Sequence, residues 1–155
     1  ARRYSRIGKF RKNELDVVEE LFNVNAASYG FLGEKPVDNL TTNISRRDIV
    51  KIPRSGHFLY RGEAQQKFAQ VSEAVGSSLV LTSGIRSVTK QMYLFLRKAS
   101  RHEWNLSLAS RSLAPPGYSF HGVGDFDVGK QGLGGENFTD AFAQTDEFKK
   151  RVDLG

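Results

Sequence analysis

The chain has 155 residues, no cysteine and a formal net charge of +6 at pH 7. That length suits one domain; the lack of cysteine excludes disulfides, thiolate metal sites and a cysteine nucleophile, and no apolar run is long enough to span a bilayer. The positive excess, concentrated in residues 1–12 and in Arg46, Arg47, Lys51 and Arg54, suits an anionic partner, but no RNA-binding motif or zinc-finger spacing is present, so nucleic acid is not expected.

In chain order, Leu15, Val18, Leu21 and Phe22 recur at helical spacing and predict a helix over 9–23. Residues 24–50 read as a loop-rich linker or cover, with a short strand over 48–52. Ala64, Phe68, Val71 and Val75 predict a helix over 62–75, and the β-branched run SLVLT predicts a buried strand over 78–82. A turn through Ser83–Arg86 follows. Ser87 is placed to cap a helix over 88–99, whose apolar face is Met92, Leu94, Phe95 and Leu96. Residues 101–112 are mixed and hold the single tryptophan, Trp104. A strand is expected over 125–128, a glycine-rich loop over 129–138, and a short helix over 146–152 capped by Thr145.

The densest chemistry lies in APPGYSFHGVGDFDVG, residues 114–129. It gathers His121, Asp125 and Asp127 among glycines, with Ser119 beside them. Imidazole and carboxylate together suit zinc. A solvated turn is the competing reading. The spacing GDFDVGK imitates a phosphate loop, but Gln131 stands where a magnesium-binding hydroxyl is required, and two aspartates repel phosphate. Asp125, Asp127 and Glu136 fall at calcium-loop positions, yet Lys130 occupies the glycine position, which leaves calcium as a weaker alternative. His57 and His102 read as ordinary histidines. Arg86, on the strand-to-helix turn, is either a surface cation or a rigidly held group for a carboxylate or carbonyl oxygen, with Gln91 one helical turn further on.

Four segments in order resemble the VanY-like D-alanyl-D-alanine carboxypeptidases. SGIRSVTKQ at 83–91 is similar to that family's SGYRS…Q segment. PPGYSFHGVGDFDVG at 115–129 resembles its SxHxxGxAxD zinc motif. FTDAFAQTDEFKK at 138–150 resembles the segment after the zinc strand, and YRGEAQQKFAQV at 60–71 the preceding helix. The resemblance covers roughly residues 50–155, leaving 1–49 as an N-terminal helix and loop-rich extension. It implies an α+β fold shared with the Hedgehog signalling domain, a small antiparallel sheet with flanking helices. It implies zinc bound by His121 and Asp127, with Ser119, Gln91 and Arg86 holding the substrate's peptide and terminal carboxylate, and Arg86 also stabilising charge during catalysis.

Two departures accompany the resemblance. Asp127 follows His121 by six residues where the family places seven, and Asp125 stays open as the ligand. The family's Glu-x-x-His segment, which supplies the general base and third ligand, has no counterpart after Glu147. The expectation is therefore that residues 1–155 bind zinc weakly alone and need a continuation or a pairing fragment for turnover; Glu63, Glu103 and Glu136 are the fallback bases. The start at Ala1 reads as processed or trimmed. The activity implied is zinc-dependent release of terminal D-alanine from peptidoglycan stem peptides in the bacterial periplasm, wall or exterior. The alternatives are a peptidoglycan endopeptidase or lysin of the same family, and an inactive wall-binding domain.

Overall fold

The structure, a computed structural model, describes residues 12–152; the basic start and residues 9–11 of the expected first helix lie outside them. The described residues divide into two compact units, residues 12–43 with 86–123, and 44–85 with 124–152.

The first unit is helical. Helix α1 (Lys12–Asn23) buries Val18 and Phe22, one turn apart, against Val37 and against Val88 and Met92 of α3 (Val88–Arg101). The Lys35 ammonium donates to the Phe22 carbonyl at 2.6 Å and lies 3.9 Å from the Phe22 ring centroid. A cation thus closes the carbonyl end of α1, where the helix dipole favours positive charge. The 24–50 stretch includes a 3-10 turn, Ala26–Tyr29, and Val37 from it belongs to the core. Helix α3 begins as expected, with the Ser87 hydroxyl accepting from Lys90 N at 3.2 Å. It runs two residues beyond the expected end, burying Val88, Gln91, Met92, Phe95 and Ala99 at intervals of three and four. Of the expected apolar face, Met92 and Phe95 are buried, whereas Leu94 and Leu96 are half-buried. A short α4 (Leu106–Ser110) packs Ala109 on Phe95 and Ala99.

The second unit holds the strands. β1 (Ile49–Lys51) and β2 (Phe58–Tyr60) form one antiparallel ladder, and β3 (Leu79–Ser83) and β4 (Asp127–Lys130) form another. Helix α2 (Glu63–Val75) packs with α5 (Asp140–Ala143) and α6 (Asp146–Val152) around a cluster of Val75, Leu79, Val128 and Phe142. β4 lies two residues later than the sequence pattern suggests. The reason is the Asn137 carboxamide: its Oδ1 accepts from Lys130 N at 2.7 Å and its Nδ2 donates to Lys130 O at 3.1 Å. The side chain therefore satisfies Lys130's main chain as a neighbouring strand would, and ladder geometry persists into the stretch expected to be loop. A Cβ at Gly129 would overlap that same Asn137 carboxamide, which explains the glycine. Residues 134–138 then form a 3-10 turn.

Candidate active site

The turn leaving β3 is shaped by close backbone approach. A Cβ on Gly84 would collide with the Phe58 carbonyl oxygen, and that oxygen accepts from Ile85 N at 2.8 Å. Glycine is the residue that lets the end of β3 lie against β2.

Within the helical unit, Arg86 is anchored at both ends. Its main-chain N–H donates to the His121 carbonyl at 2.9 Å. Its guanidinium Nη1 donates to Gln91 Oε1 at 2.9 Å. Gln91 is 1% exposed, and its Nε2 donates to the Ala114 carbonyl. The residue expected beside Arg86 is thus buried beneath it, with its amide engaged on both sides. Pro115 and Pro116 are fully buried. Gly117, at φ 87°, passes 2.9 Å from the Phe22 ring and 2.8 Å from the Val37 carbonyl if given a Cβ. The Pro-Pro-Gly lead-in is therefore pinned to α1 and its following loop, which fixes where the next residues emerge.

Ser119 opens the 3-10 turn Phe120–Gly122; it is buried, and its side chain makes no capping hydrogen bond. Its carbonyl accepts from Gly122 N at 3.0 Å. His121 is half-buried in that turn. A Cβ on Gly122 would come within 2.9 Å of Val37 Cγ2, so the turn is pressed onto the core and the imidazole is carried on a fixed support. Arg86, Gln91, Ser119 and His121 all belong to this one framework.

Asp125 and Asp127 belong to the second unit. Both are exposed, and Phe126 between them turns inward to stack edge-on against Phe68, with centroids 5.9 Å apart. Asp127 begins β4 opposite Ser83, where the ladder slips between Leu81 and Ser83. Such an irregularity gives a strand end a local bend that re-aims a side chain. Asp125 lies within the field of Lys67 on α2; the Lys67 ammonium is held in its charged form mainly by Glu63, 2.7 Å away, with Asp125 adding to it.

Sequence reasoning passed over one acid. Glu147 on α6 is 7% exposed. Its Oε1 accepts from the Ser78 hydroxyl at 2.7 Å, and its Oε2 lies 3.3 Å from the Lys130 ammonium. The Ser78 hydrogen bond, a backbone N–H and the Lys130 charge hold its carboxyl below the usual range. Helix α6 is too short for periodicity to mark Glu147 as an inward position. Among the other acids named in the sequence, Glu63 is on the surface of α2, Glu103 follows α3 and Glu136 lies in the 134–138 turn.

The imidazole and carboxylate at His121 and Asp127 are donors of the chemistry zinc takes. Among the described residues, no group of three or more His, Cys, Asp or Glu side chains is placed to hold a metal ion. Each donor fits zinc in kind.

Residues 60–153 match the family model for VanY, D-alanyl-D-alanine carboxypeptidase. The chain belongs to the VanY family. No curated protein sequence matches it. Among solved structures, it resembles the VanY D,D-pentapeptidase of the VanB-type vancomycin-resistance cassette, solved as a mutant in complex with Zn(II): TM-score 0.52, 16% identity, 83% of this chain and 71% of that one covered. The LdcB LD-carboxypeptidase gives a TM-score of 0.61 at 23% identity, covering 83% of this chain and 64% of that one. These likenesses show the fold, the α+β D-Ala-D-Ala-peptidase arrangement expected from the sequence. The VanY match runs from the last residue of β2 to α6, so it takes in Arg86, Gln91, Ser119, His121 and both aspartates.

Proposed function

We propose that this VanY-family chain is a zinc-dependent carboxypeptidase that releases terminal D-alanine from peptidoglycan stem peptides. The observation that carries the reading is the anchoring of Arg86, whose main chain is tied to the His121 carbonyl and whose guanidinium is tied to buried Gln91. An arginine fixed in this way loses little further freedom on binding, and its planar fork suits a carboxylate. Arg86 therefore receives the substrate's terminal carboxylate and stabilises negative charge that develops near it. Gln91 positions Arg86 from below. The Ser119 hydroxyl, which does not cap its own turn, holds the substrate's peptide group.

His121 and Asp127 would supply two zinc ligands, an assignment supported by the SFHGVGDFDVG motif and by the donor chemistry. When bound, zinc supplies polarisation of the scissile carbonyl and activation of the attacking water. The third ligand and the general base are assigned to no described residue. The substrate places the enzyme at the bacterial envelope or outside the cell, and no helix among the described residues is long and apolar enough to cross a membrane.

The test is calorimetric binding of a stem-peptide mimic ending in D-alanyl-D-alanine, beside the same peptide with an amidated C-terminus, with D-alanine release followed in zinc-containing buffer. The free carboxylate should bind and the amide should not. Equal binding of both, or equal binding by Arg86→Ala, would overturn the reading.

A further inference from the structure

The connection between α3 and α4 has features that the proposed chemistry leaves unused. Helix α3 ends with two N–H groups, those of His102 and Trp104, donating to the Ala99 carbonyl at 3.0 and 2.7 Å. This closure requires a left-handed residue after the helix, a place usually taken by glycine or asparagine. Glu103 takes it here, at φ 53°, and Trp104 follows at φ 63°. Consecutive non-glycine residues in this region are uncommon and are held at a conformational cost. The far side is equally fixed, because the Asn105 side chain accepts from Leu108 N at 3.0 Å to cap α4.

This strained, rigid turn presents the single tryptophan of the chain at 64% exposure, with Leu108 37% exposed one turn later. The flanking charge is one-sided. Lys98 and Arg101 lie in the last turn of α3, and Arg97 and Arg111 are exposed on either side. Residues 97–111 hold those four cations against one acid, Glu103.

We propose that Trp104 and Leu108, with Arg97, Lys98, Arg101 and Arg111, form a patch that docks on an anionic phospholipid surface. An indole is apolar in body and polar at its N–H, which suits the boundary between acyl chains and headgroups. Cations on the same segment meet lipid phosphates. Peptidoglycan carboxylates can meet such cations but offer no acyl layer to take up the exposed indole and Leu108, which favours lipid over wall saccharide. The association is peripheral, resting on one turn and its neighbouring charges. It is independent of the zinc site.

Because Trp104 is the single tryptophan, its fluorescence reports the event directly. The whole chain is titrated with vesicles of phosphatidylglycerol and phosphatidylcholine, with phosphatidylcholine vesicles, and with soluble peptidoglycan glycan fragments. Phosphatidylglycerol vesicles should shift the emission to the blue and shield the indole from an aqueous quencher; the other two should do neither. Lys98→Gln and Arg101→Gln should each weaken binding about fivefold, as expected for one cation near an anionic surface. Trp104→Gly suits a φ of 63° better than tryptophan does. It should therefore fold at least as well while losing co-sedimentation with the vesicles. No shift with phosphatidylglycerol, a shift with glycan fragments alone, or undiminished co-sedimentation of folded Trp104→Gly would each overturn the proposal.

Discussion

The main-chain N–H of Arg86 donates to the carbonyl of His121 at 2.9 Å, so the residue leading into α3 and the histidine turn are tied together within the helical unit. Gln91 completes it by accepting from the Arg86 guanidinium and donating to the Ala114 carbonyl. Gln91→Met keeps the volume but leaves that buried carbonyl without its donor, so stability should fall by about 1–3 kcal/mol. Affinity for peptides with a free C-terminus should fall as well. Gln91→Glu restores an acceptor for Arg86 while facing a carboxylate towards Ala114's carbonyl, so it should recover peptide affinity better than melting temperature. If Gln91→Met melts early but binds peptide as the wild type does, Gln91 is purely structural.

Arg86→Lys separates charge from geometry. Lysine can still donate to Gln91, so the melting temperature should stay near that of the wild type. Without the planar fork, two-pronged contact with a carboxylate is lost. Charge-assisted hydrogen bonds contribute about 1.5–3 kcal/mol, so affinity for a D-alanyl-D-alanine peptide should drop roughly 10- to 100-fold. Calorimetry beside thermal melting reads both. Unchanged affinity with a large melting shift would make Arg86 a fold residue.

What the sequence reveals here depends on whether the signal is local. Helices α2 and α3 and strand β3 are legible because their apolar spacing is regular and Ser87 announces a cap. β2 is not, since three residues after His57 carry no alternation and its pairing with β1 is a tertiary fact. The two-residue displacement of β4 comes from Asn137, seven residues beyond Lys130, whose carboxamide imitates a strand. Candidate site residue types can be named from sequence because chemistry restricts them. Their support cannot: Ala114 contributes a carbonyl, His121 contributes one through its main chain, and no side-chain pattern announces either.

Metal binding should distinguish the two aspartates. Asp125 stands in the field of Lys67, whereas Asp127 begins β4 at the ladder irregularity. His121→Ala and Asp127→Ala should each remove most zinc affinity in calorimetry, and Asp125→Ala should retain it. Retention by Asp127→Ala with loss in Asp125→Ala would move the ligand two residues. Binding of calcium but not zinc would dismiss the zinc assignment.

Gly84→Ala tests the joint behind the turn. The added methyl would meet the Phe58 carbonyl oxygen, which already accepts from Ile85. Backbone cannot swing aside as a flexible side chain can, so overpacking should cost about 1–3 kcal/mol. Thermal melting reads this directly. A neutral result would mean that β2 yields easily, and that the end of β3 is not fixed by it.

Glu147 should govern the acid limb of stability. Its carboxyl is held below the usual range by the Ser78 hydroxyl first, and by Lys130 among the lesser causes. A group whose pKa is depressed on folding stabilises the protein above its unfolded value, near ~4.3 for glutamate, and that contribution disappears as pH falls through the folded value. Melting temperature should therefore decline below about pH 4.3 in the wild type. Glu147→Gln keeps an acceptor for Ser78 but no charge for Lys130. It should melt earlier at neutral pH and show a shallower decline in acid, so that the two curves converge. Glu63 also has a lowered pKa, from the Lys67 hydrogen bond and charge, but that pair lies on the surface. Salt tells them apart: at about 1 M the screening length is about 3 Å, which weakens the exposed Glu63–Lys67 attraction far more than the interactions of buried Glu147. If the wild-type acid limb flattens in salt and Glu147→Gln tracks the wild type, the acid dependence belongs to surface pairs such as Glu63–Lys67.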